Sequence, residues 1–308
     1  MSPRRIGSTD LEVFPLCLGG NVFGWTCDEA QSFAVLDAFA AAGGNIVDTA
    51  DTYSSWVPGH AGGESETIIG NWMRSRGNRD RIVVATKVGM LPGLKGLAPA
   101  TIRTAVDGSL KRLGTDRIDL YYAHEDDPNT PLEDTLRAFD EAVRAGKVRY
   151  IAASNYKAPR LSEALAISKR EGLASYVALQ PNYNLAHRGD YEGALREVCA
   201  QAGLSCLPYF ALASGFLTGK YRAGRTVQSV RAGGIKQYQT PEGERILAAL
   251  ERVAGAHHTT MSAVALAWLC ADPTIAAPIA SARTPAQLAD LLPSVDLRLT
   301  RDELALLT

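Results

Sequence analysis

The sequence predicts a (β/α)8 barrel, a single α/β domain. Short runs of apolar and β-branched residues alternate along the chain with longer stretches of helical spacing. Runs that are continuously apolar are typical of strands buried on both faces of a parallel sheet, and parallel pairing requires crossovers of helical length. Eight such units within 308 residues match the size of this barrel.

The candidate strands are spread over the whole chain. In order they read FPLCLGG, NIVDTA, IVVATKVG, DLYYAH, VRYIAAS, YVALQPNY, LSCLPYFA and TIAAPIAS. The helical stretches between them start with acidic residues or proline and stop at glycine, as in DEAQSFAVLDAFAAAGG, APATIRTAVDGSLKRLGTD, PLEDTLRAFDEAVRAGK and APRLSEALAISKREG.

Two stretches fall outside the alternation. RRIGSTDLEV has a turn signal between short extended pieces, which predicts a β-hairpin laid against the barrel. The gap between the seventh and eighth strands is about twice the others, and its glycine-rich, basic part predicts a mobile loop over one face, followed by an extra helix after Pro241. The chain has no repeat or linker, so one domain over 1–308 is expected.

Composition narrows the class of protein. Hydrophobic residues make up 46% of the chain, and the formal net charge is −1, which gives no reason to expect a nucleic acid or a membrane as partner. Five cysteines without C-x-x-C spacing suit reduced thiols. No signal peptide or membrane span is recognisable, so a soluble, cytoplasmic protein is expected.

Polar residues stand at nearly every predicted strand end. In a barrel of this type the carboxyl ends of the strands surround one pocket. The residues there are Asp48, Lys87, His124, Ser154, Asn155, Gln180, Asn182, Tyr209, Ser281 and Arg283.

The first three ends suggest proton transfer. Asp48 and Lys87 lie on adjacent predicted strands, where an ion pair is easily made, and Tyr53 follows Asp48 closely enough to turn back over the pocket. A lysine ammonium beside a phenol is expected to lower the phenol pKa from about 10. With His124 as a neighbour, the group describes a site that protonates an oxygen as it becomes negative.

Other readings of the same residues stay open. Asp48 and Lys87 could form a structural salt bridge, Tyr53 could be a packed aromatic residue, and His124 could be a satisfied core histidine. The run HEDD suggests a metal-dependent hydrolase or isomerase, but it has no second histidine at ligand spacing. No metal is therefore expected.

The strand ends resemble those of a known family. DTADTY, ATKVG and YYAHEDD together resemble the catalytic tetrad of the aldo-keto reductases, and RRIGSTDLEVFPLCLGG, AASNY, LQPNYNL, PYFALASGFLTGKY and PIASARTPAQLADL are similar to further segments of that family, on the branch of the potassium-channel β-subunits. The resemblance implies a barrel enzyme that reduces aldehydes and ketones with a nicotinamide cofactor, normally NADPH, without a Rossmann domain. No G-x-G-x-x-G occurs in the chain.

The resemblance also implies roles for single residues. Tyr53 would be the proton donor, Asp48 and Lys87 would tune it, and His124 would orient the substrate. Hydrogen bonds to the nicotinamide carboxamide and a ring stacked on it would come from Ser154, Asn155, Gln180 and Tyr209. The pyrophosphate would be held by Leu212, Ser214, Gly215 and Lys220. The 2'-phosphate and the adenine side would be held by Ser281, Arg283, Gln287 and Asp290.

Some positions depart from the family pattern or stay ambiguous. Phe210 and Ala211 stand where a Ser-Pro pair is usual, which removes one hydroxyl near the phosphates, and Leu291 stands where an asparagine is frequent. Trp25 and Trp56 are candidates for the walls of the substrate pocket, or for residues that cover the core. The alternative function is that of an NADPH-binding redox sensor or regulatory subunit with slow turnover. The oligomeric state stays open.

Overall fold

The computed structural model describes residues 2–221 and 232–308. The core of these residues is a sheet of eight strands in which every neighbouring pair is parallel. In chain order these strands are Cys17–Gly19, Ile46–Asp48, Val83–Val88, Ile118–Ala123, Val148–Ser154, Tyr176–Gln180, Ser205–Cys206 and Ile279–Ala280.

The sheet closes on itself. The Cys206 nitrogen donates to the Thr274 oxygen at 2.7 Å, and the Ile279 nitrogen donates to the Pro208 oxygen at 2.9 Å, so the seventh strand pairs with the segment that leads into the eighth. The eighth strand pairs with the first. These contacts confirm the predicted α/β barrel.

The last two strands are shorter than the apolar runs that predict them. LSCLPYFA pairs as a strand only at Ser205–Cys206, and TIAAPIAS only at Ile279–Ala280. Pro208 and Pro278 have no N–H group to donate to a neighbouring strand, which interrupts the ladders.

Helices surround the barrel. Those in the described part of the chain are Glu29–Ala41, Glu64–Arg76, Pro99–Leu113, Leu132–Arg144, Ala158–Glu171, Ala194–Ala202, Pro241–Ala256, Met261–Cys270, Pro285–Ala289 and Arg301–Leu307. The helix after Pro241 is confirmed, with the Thr240 side chain as its N-cap. Glu64–Arg76 starts at Gly63 without a side-chain cap, so its start lacks the usual sequence signal.

A hairpin covers the amino-terminal end of the barrel. Its strands Arg4–Arg5 and Glu12–Val13 pair antiparallel, which confirms the predicted hairpin. The buried side chains of Ile6, Leu11 and Val13 join the core layer inside the barrel. This end is therefore filled with apolar side chains.

Two further observations bear on the predicted loops and on membranes. A second hairpin pairs Met90–Leu91 with Leu94–Lys95 at the opposite end of the barrel. Residues 222–231 of the predicted mobile loop lie outside the described residues, and its later part includes a 3-10 helix over Ala232–Tyr238. None of the described helices is long and apolar enough to cross a membrane.

Candidate active site

The two-residue period of the strands directs the polar strand ends into the barrel. Lys87 follows Val83 and Ala85 of the interior core in steps of two, and His124 follows Tyr122 in the same way. The interior residues Ile46, Ala152, Ala178 and Leu207 likewise stand two positions before Asp48, Ser154, Gln180 and Tyr209. The polar groups therefore form the last interior layer at the carboxyl end of the barrel.

A buried ion pair lies at the centre of this layer. The fully buried Lys87 ammonium donates to both carboxylate oxygens of Asp48 at 2.7 Å and to the carbonyl oxygen of Thr49 at 2.8 Å. Its Nζ atom also lies 3.0 Å from the hydroxyl of Tyr53. Asp48 further accepts hydrogen bonds from the Tyr53 hydroxyl at 3.2 Å and from Gln180 Nε2 at 2.9 Å. Every charged atom of the pair thus has a polar partner, as buried charges require.

The loop after the second barrel strand holds Tyr53 over this pair. The Tyr53 nitrogen donates to the Ala50 oxygen, and its carbonyl oxygen accepts from the Gly63 nitrogen at 3.1 Å. The next residue, Ser54, has a φ of 72° and donates its side-chain hydroxyl to the Phe23 oxygen at 2.9 Å. These bonds fix the loop on both sides of the phenol.

The expected lowering of the Tyr53 pKa is wrong for this structure. Burial of the phenol, followed by the negative charge of Asp48 and the hydrogen bond to it, holds the pKa of Tyr53 well above its ordinary value. The Lys87 charge alone would lower this pKa, but Asp48 contacts the same hydroxyl and offsets that charge. Tyr53 therefore keeps its proton at neutral pH.

His124 lies beside the phenol as a neutral ring. The two ring centroids are 6.1 Å apart. Burial, and secondarily the Lys87 charge, lowers the pKa of His124 well below its usual value. Its Nδ1 atom is buried and has no hydrogen-bond partner among the described residues. The ring can therefore offer one N–H group to a ligand without carrying a charge.

A cavity of about 700 Å³ extends from this group along the barrel mouth. Asp48, Tyr53 and His124 line one end of it, and Lys87 lies beneath them. All twelve residues predicted to bind a cofactor line the same cavity: Ser154, Asn155, Gln180, Tyr209, Leu212, Ser214, Gly215, Lys220, Ser281, Arg283, Gln287 and Asp290.

The amide groups nearest the ion pair are engaged with one another. Asn155, with a φ of 58°, donates from Nδ2 to the His124 carbonyl at 2.9 Å and accepts from the Tyr209 hydroxyl at 2.8 Å. The Ser154 hydroxyl donates to the Gln180 carbonyl at 2.9 Å. The ring of Tyr209 is thereby tied to the same strand end that carries His124.

The far end of the cavity is suited to an anion. Ala213, Ser214 and Gly215 all have positive φ values, and the Ala213 and Gly215 nitrogens donate to the carbonyl oxygens of Phe210 at 2.7 Å and of Leu212 at 2.8 Å. Lys220 and Arg283 also line this end, and neither has an acidic partner among the residues that the structure describes. Cationic side chains without an acidic partner are groups that phosphate oxygens can bind.

The residues predicted for the adenine side make hydrogen bonds to other residues of the protein. The Ser281 hydroxyl donates to Asn21 Oδ1 at 2.7 Å, and Gln287 Oε1 accepts from the Arg283 nitrogen at 2.9 Å. The Asp290 carbonyl accepts from the Thr260 hydroxyl at 2.6 Å. Asn21 and Thr260 were not predicted, although Asn21 follows the first strand by the same two-residue step that identifies the other site residues.

The two candidate wall residues, Trp25 and Trp56, lie near Tyr53 but are not among the residues that line the cavity. The rings of Trp25 and Trp56 are perpendicular, with centroids 5.5 Å apart, and the Trp56 ring lies 6.2 Å from that of Tyr53. The Trp56 residue is 48% exposed, so it does not cover core. Met90, from the second hairpin, lines the cavity and was missed by the sequence analysis.

The HEDD run is occupied by structural contacts. Asp126 accepts from Arg160 at 3.0 Å, and Asp127 accepts from the Leu97 nitrogen at 2.8 Å and from the Thr130 hydroxyl. Within the described ranges, no group of three or more histidine, cysteine or acidic residues could hold a metal ion.

A closed parallel barrel with a polar cavity at the carboxyl ends of its strands defines the class as an α/β-barrel enzyme. The chain belongs to the aldo/keto reductase family, whose family model matches residues 15–308. It is therefore an oxidoreductase of a family that acts on carbonyl compounds with nicotinamide cofactors.

Several proteins are similar to this chain over nearly its whole length. Protein tas of Escherichia coli is 33% identical, and the match covers 99% of this chain and 96% of tas. Norsolorinic acid reductase B of Aspergillus parasiticus is 32% identical, with 96% and 80% covered. A probable voltage-gated potassium channel subunit beta of Oryza sativa is 31% identical, with 96% and 92% covered. These relatives agree with the branch that the sequence analysis indicated.

Proposed function

We propose that this protein reduces an aldehyde or ketone to an alcohol, with a hydride from NADPH and a proton from Tyr53. The observation that carries the proposal is the 3.0 Å contact between the Lys87 ammonium and the Tyr53 hydroxyl inside a buried, fully paired network. The similarity to norsolorinic acid reductase B, named as a reductase, supports the direction of the reaction.

Tyr53 gives its proton to the carbonyl oxygen as that oxygen becomes an alkoxide. The high pKa of the phenol keeps the proton in place beforehand, and an alkoxide is a still stronger base, so the transfer is downhill. Lys87, at hydrogen-bond distance, stabilises the tyrosinate that remains. Asp48 holds the ammonium in position, and the phenolate then takes a proton back from solvent.

His124 orients the carbonyl compound. As a neutral ring it donates one N–H hydrogen bond to the carbonyl oxygen without competing for the proton of Tyr53. Trp25 and Trp56 form an apolar corner beside the phenol for the rest of the substrate. The reacting carbonyl is thereby presented to Tyr53 in one orientation.

The cavity residues fit a nicotinamide dinucleotide. When bound, NADPH supplies the hydride that the carbonyl carbon accepts. Tyr209 offers a ring face for the nicotinamide, and Ser154, Asn155 and Gln180 offer polar groups for its carboxamide once their present contacts exchange. Leu212, Ser214, Gly215 and Lys220 would hold the pyrophosphate, and Arg283 would hold a 2'-phosphate.

A second candidate function is that of a redox sensor. The similarity to the rice channel subunit favours it, because a channel subunit acts with a partner protein. Both functions use the same cavity, so the rate of turnover separates them. A sensor would hold the cofactor over many minutes with little carbonyl reduction.

The deciding experiment follows NADPH absorbance in the presence of a reactive aromatic aldehyde. Tyr53→Phe removes the proton and keeps the ring, so we expect activity to fall by about a thousandfold. The dissociation constant for NADPH, measured by fluorescence titration, is expected to change by less than about threefold. Repeating both assays with NADH measures cofactor preference.

The outcomes separate the readings. Equal activity in wild type and Tyr53→Phe would remove Tyr53 from the role of proton donor. Tight binding of NADPH without turnover across aromatic, aliphatic and keto substrates would favour the sensor. Binding of neither cofactor would refute both functions.

A further inference from the structure

Phe210 is an exposed aromatic residue at a position where the chain could have been polar. It is 44% exposed, although large apolar side chains are normally buried, and it lines the cavity directly after Tyr209. The phenylalanine therefore places an apolar ring among the mostly polar residues that line this cavity.

The backbone at Phe210 is strained and firmly held. Its φ of 52° is in the left-handed region, which is unfavourable for a bulky side chain. Its carbonyl oxygen accepts from the Ala213 nitrogen at 2.7 Å and from Nδ2 of the fully buried Asn184 at 3.0 Å. Asn184 is itself fixed, because its Oδ1 accepts from the Ala186 nitrogen at 2.9 Å. A glycine would be free of this strain, so the retained ring is expected to serve a purpose.

Among the described residues, the Phe210 ring contacts one aromatic neighbour, Tyr209. Its centroid lies 5.0 Å from that of Tyr209 at an interplanar angle of 63°, an edge contact. The hydroxyl of Tyr209 is anchored on Asn155 at 2.8 Å. Along the chain, Phe210 stands between the ring proposed to stack on the nicotinamide and the Ser214–Lys220 segment proposed to hold the pyrophosphate.

We propose that Phe210 covers the bound dinucleotide between its nicotinamide end and its phosphate end, and that this cover slows release of the cofactor. The inference rests on the proposed function. The ring loses its water when the ligand lies against it, and that contact must break before the ligand leaves. Phe210 is thus a retention residue, whose effect is on binding and release rather than on proton transfer.

The test measures NADPH binding, with fluorescence titration for affinity and stopped-flow displacement by excess NADP⁺ for the release rate. Burial of part of an aromatic ring predicts a dissociation constant about tenfold higher in Phe210→Ala, almost all of it from faster release. Phe210→Tyr keeps the ring and is expected to release NADPH within about twofold of wild type. Leu306→Ala, which removes a similarly exposed apolar side chain remote from the cavity, is the matched control.

Phe210→Gly distinguishes the effect of losing the ring from the effect of the strained backbone, because it removes both. It is expected to unfold at a temperature equal to or above that of wild type, because glycine tolerates the φ of 52°, and yet to release NADPH as fast as Phe210→Ala. Release rates of Phe210→Ala and Phe210→Gly equal to that of wild type would refute the cover and leave the proposed function standing. Failure of wild type to bind NADPH would refute both.

Discussion

The two ends of the barrel differ in what their buried side chains contribute: one is packed with apolar residues, and the other carries polar groups. At the amino-terminal end, Ile6, Leu11 and Val13 of the hairpin are buried in an apolar layer. The Thr9 hydroxyl at the hairpin turn donates to the Ile6 oxygen and accepts from the Leu11 nitrogen, so its polar groups are paired locally. This amino-terminal end, the closed end of the barrel, therefore contributes to the stability of the fold.

The carboxyl end, the open end of the barrel, contains backbone strain and buried polar groups. Of the six described residues other than glycine with positive φ, five lie in the loops that follow strand ends: Ser54, Asn155, Phe210, Ala213 and Ser214. Buried polar atoms without a partner among the described residues also occur there, at Asp51 and His124. Backbone strain destabilises a fold, so its concentration at one end indicates where function is kept.

The largest expected effect is at the ion pair of the open end. Lys87→Met removes the ammonium beside Tyr53 and leaves Asp48 buried without its counter-charge. We expect activity to fall about a thousandfold or more, and the free energy of unfolding to fall by about 3–5 kcal/mol. Aldehyde reduction and urea unfolding measure the two effects.

The double variant Lys87→Met/Asp48→Asn separates chemistry from packing. Without the carboxylate there is no uncompensated buried charge, so much of the lost stability is expected to return while activity stays low. If the double variant regained activity as well, the pair would be a structural salt bridge. The ion pair of the open end would then only stabilise the fold, as the apolar layer of the closed end does.

The barrel and its amino-terminal hairpin could be predicted from the sequence, because both depend on local periodicity and turn signals. Alternation of apolar runs with helical stretches was enough for the barrel, and the turn in RRIGSTDLEV was enough for the hairpin. The two-residue period of the strands directs Asp48, Lys87 and His124 into the barrel. For that reason a single site could be predicted from the strand ends.

Contacts between segments far apart in the chain could not be predicted. The Gln180 amide reaches Asp48 across the barrel, and Asn155 is bound by Tyr209, neither of which follows from local pattern. The pKa of Tyr53 is raised because Asp48 and burial act on the same hydroxyl as Lys87. The left-handed conformation of Phe210 is likewise a consequence of bonds from Ala213 and Asn184.

Asp51 gives a pH-dependent test of the open end. Burial, and then the charge of the buried Glu66, raises the pKa of Asp51 to about 7, while Arg112 and Lys87 lower it in part. The Tyr121 hydroxyl, from a neighbouring strand, is also buried without a described partner. Asp51 is therefore a neutral acid in the folded protein below pH 7.

The direction of the effect follows from the two states. The unfolded carboxyl ionises near 3.8, before the folded one, so ionisation stabilises the unfolded chain as pH rises, and folding stability falls between about pH 4 and 7 and is level above. The full difference is roughly 4 kcal/mol. Asp51→Asn resembles the neutral acid, so urea unfolding is expected to find it more stable than wild type at pH 8 and similar at pH 4. An equal difference at both pH values would contradict this assignment.

At the closed end, Ile6→Ala tests stability without chemistry. The side chain is fully buried between the hairpin and the barrel, so its truncation is expected to lower the free energy of unfolding by about 3 kcal/mol. The turnover number, measured well below the unfolding temperature, is expected to stay within about twofold of wild type. A large loss of turnover with unchanged unfolding would mean that the two ends are coupled, and that the contrast between them is incomplete.

The smallest expected effect is at Arg283 and distinguishes cofactor binding from proton transfer within the open end. Arg283 lies at the phosphate end of the cavity, away from Tyr53, and its guanidinium has no acidic partner in the described ranges. Arg283→Ala is expected to weaken NADPH binding about tenfold, since a charge-assisted contact to the 2'-phosphate is lost, while NADH binding changes by less than about twofold. Because the substitution is remote from the proton donor, the turnover number at saturating NADPH should be retained. Equal weakening of both cofactors would assign Arg283 to a part of the dinucleotide that they share, and the basis of any preference for NADPH would then have to lie elsewhere in the cavity.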